Sequence, residues 1–289
     1  MKIFQSHNEL VLEDIKDFNL QHTFECGQCF RWEREEDGSY TGIAYGKVVN
    51  LKINRDTLFI KNTNIDDFNN IWRTYFDLDR DYSTIKNRLS KDIILKQAVE
   101  FGWGIRILNQ EIWECLISFI ISSNNTIPRI KKIINNICEK YGQPIWFGGK
   151  VYYSFPRPQD LYNKTLKDLA FCRSGYRAKY ILDGVQATVE KQVRLNSIKA
   201  LDTLQARKEL MKIKGVGPKV ADCVLLFSGQ KYDVFPTDVW IKRIIEYFYF
   251  DGKASIQDVR KFAHEKYGEL AGFAQQYLFY YAREMKIGK

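Results

Sequence analysis

The hydrophobic period of the chain changes near residue 60, and that change limits what it can fold into. From Phe24 to about Ile60, short runs rich in β-branched and aromatic residues (FECGQCFRW, SYTGIAY, KVVNLKI and TLFI) alternate with turn signals such as Glu36-Asp37-Gly38 and Asn54-Arg55-Asp56. Runs of that kind predict an antiparallel sheet. From about Ile65 apolar residues recur at three- and four-residue intervals, in segments 112–123, 128–141, 164–171, 178–192, 206–213, 218–228, 239–249, 255–267 and 271–285. That spacing predicts helices. Residues 143–158 mix Gly, Pro and aromatic side chains and read as an ordered loop. The expected fold class is α+β, with an N-terminal antiparallel β-sheet domain and flanking helices over 1–105 and a mainly α-helical domain over 106–289.

With 289 residues, 45% of them hydrophobic and 15% aromatic, the chain can fill one large core or two ordinary ones, which argues against disorder. No window approaches the roughly 18 consecutive apolar residues that span a bilayer, and the opening MKIFQSHNEL lacks the apolar stretch of a secretory signal. An intracellular protein away from the membrane is expected. The cysteines at 26, 29, 115, 138, 172 and 223 are scattered, as reduced thiols are, rather than spaced as a disulfide framework. Cys26-Gly-Gln-Cys29 has the spacing of half a zinc site, but no second Cys-x-x-Cys follows and His7, His22 and His264 are far apart. Neither a metal nor a cofactor is expected.

Charge divides along the same line as periodicity. Residues 1–105 carry 14 Lys+Arg against 17 Asp+Glu, net −3, whereas residues 106–289 carry 30 against 18, net +12. The helical part is the candidate polyanion binder, although a basic face also arises from lysines that only solvate a surface.

The segment Leu210–Phe227, LMKIKGVGPKVADCVLLF, is the richest in chemistry. A helix ends at Ile213–Lys214, Gly215-Val216-Gly217 turns the chain, and Pro218 starts a second helix where its missing N–H is not needed. Glycines let the backbone approach another molecule closely, and the free N–H groups of the new helix suit a phosphate. An ordinary Gly-rich turn between helices has the same local sequence. Lys219 falls in the first turn of the second helix, at the positive end of its dipole and in an unfavourable place for a cation. A neutral amine is what nucleophilic attack and Schiff-base formation require, while the plainer role is a phosphate-binding lysine. Asp238, in VFPTDVW, precedes the apolar helix VWIKRIIEYF. It caps that helix, stabilises positive charge developing on a sugar, or does both.

The sequence resembles the helix-hairpin-helix (HhH-GPD) DNA glycosylase superfamily and, within it, the 8-oxoguanine DNA glycosylase/AP lyases. GVGPKVADC followed by VFPTDVW is similar to the hairpin, catalytic lysine and catalytic aspartate of that superfamily, and KVADC is characteristic of the 8-oxoguanine branch. FECGQCFRW, FIISSNNTIPRI, SGYRAKYI and AGFAQQYLF agree with it, in order and over nearly the whole chain. The resemblance implies a TBP-like N-terminal sheet domain, a helical glycosylase domain, and duplex DNA containing 8-oxoguanine as the partner of a monomer. It makes Lys219 the nucleophile at the sugar, Asp238 its electrostatic partner, and Gly215, Val216 and Gly217 the phosphate-binding hairpin. Gly27, Phe119, Cys223, Phe227, Gln275 and Phe279 become the base pocket. In it the Gly27 carbonyl accepts the N7–H of 8-oxoguanine, Gln275 reads the Watson–Crick edge, and Phe279 stacks opposite Cys223. Asn124, Arg129, Tyr176 and Arg177 become the readers of the base left opposite, with cytosine preferred. By residue type alone, Phe279 and Cys223 are core, Gln275 and Gly27 surface or turn, and Asn124 a helix-ending amide.

The chain departs from the vertebrate-like pattern at Trp240, where a histidine is expected, and at Phe227, where a methionine is expected. Two other readings compete. A helix-hairpin-helix glycosylase for another damaged base is one, although the endonuclease III-like and adenine-specific branches usually end in a four-cysteine cluster and no cysteine follows Cys223. A non-catalytic DNA-binding protein that uses the hairpin only to grip phosphates is the other, and the presence of both Lys219 and Asp238 argues against it.

Overall fold

The computed structural model describes residues 1–287. Six strands form one antiparallel sheet: β1 (Lys2–Ser6), β2 (Glu9–Glu13), β3 (Trp32–Arg34), β4 (Tyr40–Ala44), β5 (Lys47–Asn54) and β6 (Thr57–Lys61), in the order β1-β2-β6-β5-β4-β3. Register aligns the inward residues into rows, as where Leu10 faces Ile60, Ile60 faces Leu51 and Leu51 faces Tyr40, all of them buried. Side chains alternate across a strand, so such a row covers one face continuously. Phe24 stacks on Trp32 with ring centroids 4.1 Å apart, and Trp72 and Phe76 close the same core.

FECGQCFRW is not one strand. A short helix, Leu20–Phe24, is capped by Asn19, the chain then runs irregularly past Gly27, and β3 starts only at Trp32. Gly27 has φ +87°, which L side chains rarely adopt and which ends any extended run. The loop is ordered because the buried Gln28 amide satisfies it, donating to the Thr23 and Arg106 carbonyls at 2.8 and 2.7 Å and accepting from Leu108 N–H at 2.9 Å.

The second core is helical. It is built on Ile112–Ser122, Ile127–Tyr141, Arg177–Val189, Thr203–Leu210, Pro218–Phe227, Val239–Tyr249, Ile256–Tyr267 and Ala271–Glu284, and the helices Tyr82–Leu89 and Ile93–Phe101 add to it. Two expectations need correction. Residues 164–171 form turns and a short 3-10 segment, Ala170–Cys172, instead of a helix: Thr165 and Asp168 pair reciprocally as at a helix start, but the chain tightens into the 3-10 segment and turns left-handed at Arg173, φ +56°. The expected loop at 143–158 contains a hairpin, β7 (Pro144–Phe147) with β8 (Lys150–Tyr153), turned by Gly148 and Gly149 at φ +56° and +75°. Among the described residues no helix is long and apolar enough to cross a membrane.

Candidate active site and nucleic-acid interface

The hairpin is held from behind. Ile213 and Val216 are buried, and Asp222 on the second helix accepts from Arg207 Nε of the first helix at 2.6 Å and from an Arg260 amino group at 3.3 Å. Asp222 is fully buried, so both arginines serve to satisfy its charge. Gly215 has φ +85°, and a Cβ there would lie 2.4 Å from the Tyr180 ring. Gly217 differs. It is the extended N-cap residue ahead of Pro218, and a Cβ there would meet nothing within 4 Å. The backbone at the helix start is therefore open to an approaching molecule.

Lys219, half-buried, has its Nζ 5.6 Å from the centroid of the Phe119 ring. Asp238 caps the helix Val239–Tyr249, accepting from Ile241 N–H at 2.8 Å, and is also half-buried. Both charges act on the buried Cys223 thiol. Burial pushes its thiol up to about 11, the Lys219 ammonium pulls it down, and the Asp222 and Asp238 carboxylates push it further up. A lysine and a carboxylate on different helices thus act on one buried group.

Around them is an aromatic wall. Phe119 stacks on Phe227 at 5.3 Å and meets the edge of Phe30 at 5.7 Å. A Cβ on Gly27 would sit 3.3 Å from the Phe279 ring, so this glycine allows the loop and the ring to touch. Gln275, one helical turn from Phe279, is 5% exposed, and its Oε1 has no hydrogen-bond partner among the described residues. A buried orphan acceptor is costly and calls for an explanation, of which an absent ligand is one. Trp240 packs edge-on to Phe279 at 5.9 Å and donates to the Ile287 carbonyl at 3.3 Å, which joins the Asp238 helix to the same wall.

The residues expected to read the opposite base also converge, but with different freedom. Asn124 is exposed at φ +48°. Arg129 is exposed and makes one long hydrogen bond, 3.4 Å, to the Arg173 carbonyl. Tyr176 is 51% exposed with the Arg177 guanidinium 4.6 Å from its centroid. Arg177 is 3% exposed, and its guanidinium donates to the carbonyls of Ser123, Asn124 and Ser174. Residue type signalled a cation at 177 but not that its donors are already engaged. Sequence reasoning also missed Phe30, Asp222 and Arg283. Arg283 alone carried a signal, the four-residue steps from Gln275 through Phe279.

Comparison with known proteins decides the family. Residues 10–116 match the model of the 8-oxoguanine DNA glycosylase N-terminal domain, and residues 117–268 match that of the HhH-GPD superfamily base excision DNA repair protein. The chain belongs to the 8-oxoguanine glycosylase branch of the HhH-GPD superfamily. Within this family it is similar to MBOgg1, solved with a low affinity DNA ligand, at 52% identity and a TM-score of 0.97 over 99% of each chain. It is also similar to the 8-oxoguanine glycosylase/lyase of Clostridium acetobutylicum, solved with double-stranded DNA containing cytosine opposite 8-oxoguanine, at 48% identity and a TM-score of 0.97 over 99% of each chain. A probable N-glycosylase/DNA lyase of Methanothermobacter thermautotrophicus is 32% identical over 228 residues, 72% of this chain and 71% of the relative. The enzyme class is therefore that of a bifunctional N-glycosylase/DNA lyase acting on damaged DNA.

Proposed function

We propose that the chain excises 8-oxoguanine from duplex DNA, preferably opposite cytosine, through Lys219. The amine attacks the anomeric carbon of the flipped deoxyribose, and the N-glycosidic bond breaks with its electron pair leaving on the base. Ring opening gives a protonated Schiff base, and β-elimination then breaks the bond between C3′ and its phosphate oxygen. Asp238 stabilises the positive charge that develops on the sugar. Gly27, Phe119, Cys223, Phe227, Gln275 and Phe279 receive the base. The open N-cap at Gly217, with Gly215 and Val216 behind it, takes a phosphate, helped by the helix dipole. Asn124, Arg129, Tyr176 and Arg177 face the base left in the stack. We further take the enzyme to work as a monomer inside the cell, in keeping with its buried free thiols, and to divide at residues 105 and 106.

The observation that carries this reading is the half-buried Lys219 over the Phe119 ring together with the buried, unpartnered Gln275 side-chain oxygen, with Lys219 and Asp238 both acting on the Cys223 thiol. Borohydride in the presence of an 8-oxoguanine:cytosine duplex tests it. The parent should become covalently trapped, and Lys219→Gln should show neither trapping nor base release while still binding DNA, because one charge of the 30 Lys+Arg in residues 106–289 adds little to phosphate attraction. Substantial trapping of Lys219→Gln would place the nucleophile elsewhere.

A further inference from the structure

The C-terminal helix Ala271–Glu284 presents Gln275, Phe279 and Arg283 at four-residue steps, hence along one stripe. Its far end grips the Gly27 loop. Gln276 Nε2 donates to the Cys26 carbonyl at 3.0 Å, and one Arg283 amino group donates to the Glu25 carbonyl. The next carbonyl, that of Gly27, accepts no hydrogen bond among the described residues. Beside it the other Arg283 amino nitrogen is 3.5 Å from where a Gly27 Cβ would stand, is shielded from solvent, and has no partner among the described residues. The guanidinium carbon lies 5.8 Å from the centroid of Phe279. A carbonyl without a donor and a buried donor without an acceptor therefore both belong to the contact between Gly27 and the end of the stripe, with the orphan Gln275 oxygen one turn on the other side of Phe279.

That pair complements one chemical edge. Oxidation at C8 turns the imidazole of guanine into a cyclic urea in which N7–H donates and C8=O accepts, next to each other. Unmodified guanine offers an acceptor at N7 and only C–H at C8. We propose that Arg283 is a specificity-determining residue that donates to the C8 oxygen of the extruded base while the Gly27 carbonyl accepts from N7–H. The proposal rests on the reading above that the base enters beside Gly27 and Phe279. Two adjacent hydrogen bonds of opposite sense reject a base that reverses or lacks either group far more strongly than apolar packing does. The Glu25 carbonyl and the Glu284 carboxylate, 2.9 Å from Arg283 Nε, hold the guanidinium from the side away from the unpartnered nitrogen.

Single-turnover excision of 8-oxoguanine and cleavage of a preformed abasic site are compared for the parent and Arg283→Met, which keeps the apolar stem and removes every donor. Excision by Arg283→Met should fall between about 10- and 100-fold, the scale of one charge-assisted hydrogen bond. Abasic-site cleavage, which involves no base, should stay within about twofold of the parent. A duplex carrying 8-thioguanine, with sulfur for the C8 oxygen, should slow the parent more than it slows Arg283→Met. Unchanged excision, an equal loss in abasic-site cleavage, or the same sulfur effect in both proteins would overturn the proposal. A parent that cleaves abasic sites but leaves 8-oxoguanine in place would instead overturn the reading beneath it, and this proposal with it.

Discussion

Asp238 uses one carboxylate oxygen to cap Val239–Tyr249, and its charge also acts on the Cys223 thiol. Asparagine caps a helix about as well as aspartate but carries no charge, so one substitution separates the two roles. Asp238→Asn should melt within about 0.5 kcal/mol of the parent, while base release slows by about 100-fold or more, the usual scale for removing one electrostatic group from a reacting centre. A rate loss explained by instability would return Asp238 to capping alone. The two arginines proposed to face the opposite base divide in the same way. Arg129 is exposed and lightly held, and its donors suit the N3 and O2 acceptors of cytosine. Arg177 commits four of its five N–H donors to the carbonyls of Ser123, Asn124 and Ser174, which leaves one for a base. Excision opposite C, T, G and A should show Arg129→Ala losing the cytosine advantage, whereas Arg177→Ala chiefly lowers the melting temperature, by the equivalent of about 1–3 kcal/mol for carbonyls left unpaired. An unchanged ratio across the four partners in Arg129→Ala would remove it from readout. Lys219 and Asp238 were legible in the sequence because helix-start chemistry is local. The engagement of Arg177 was not, because it depends on where a distant turn, residues 123–124, packs.

Among elements, the hairpin separates folding from binding at two glycines. Gly215 combines positive φ with the Tyr180 ring at its back, so any Cβ strains the backbone and collides as well. Gly217 has an ordinary φ of −89° and empty space. Gly215→Ala should therefore cost more than about 1 kcal/mol of stability. Gly217→Ala should leave stability within about 0.5 kcal/mol but weaken duplex binding, since its methyl group occupies space left for a phosphate. Chemical denaturation and DNA titration of both variants check this, and normal DNA affinity in Gly217→Ala would deny the open N-cap its role. Helices were legible where apolar spacing and caps agree, as at Val239–Tyr249, found where expected and capped by Asp238. They were not at 164–171, where apolar spacing and a helix-start pair, Thr165 with Asp168, are followed by a left-handed residue, Arg173, that stops the helix after one turn. The hairpin β7–β8 was hidden for another reason: Trp146 is 74% exposed, so the strand buries too little to show an apolar alternation.

At the scale of the whole molecule, the break in periodicity marks two cores, yet one loop belongs to both. Phe24, Cys29 and Trp32 are buried in the sheet core, while Cys26 and Phe30 are buried in the helical one. The two thiols of Cys26-Gly-Gln-Cys29 thus enter different interiors, each donating to a nearby carbonyl, Cys26 to Thr23 and Cys29 to Phe24. Burial pushes both thiols up in pKa. The spacing that resembles half a zinc site reflects a loop shared between cores, which no local pattern reveals. Gln28 joins the two mechanically. Its amide ties Thr23 to Arg106 and Leu108, and its carbonyl accepts from Gln110, whose amide also donates to Phe227 at the end of the Lys219 helix. The loop shared by the two cores and the Lys219 helix are therefore linked through Gln28 and the buried Gln110 side chain. The parent should unfold in a single calorimetric transition with equal van't Hoff and calorimetric enthalpies. Gln28→Leu keeps a similar volume but orphans the Leu108 N–H and the Arg106 carbonyl, at about 1–3 kcal/mol for each group left buried without a partner, and leaves the Thr23 carbonyl only the Cys26 thiol. It should lower the melting temperature and, because the lost bonds cross between cores, also drop the van't Hoff enthalpy below the calorimetric one. Two transitions in the parent, or a lower melting temperature with the enthalpy ratio unchanged in Gln28→Leu, would mean that the cores are coupled elsewhere.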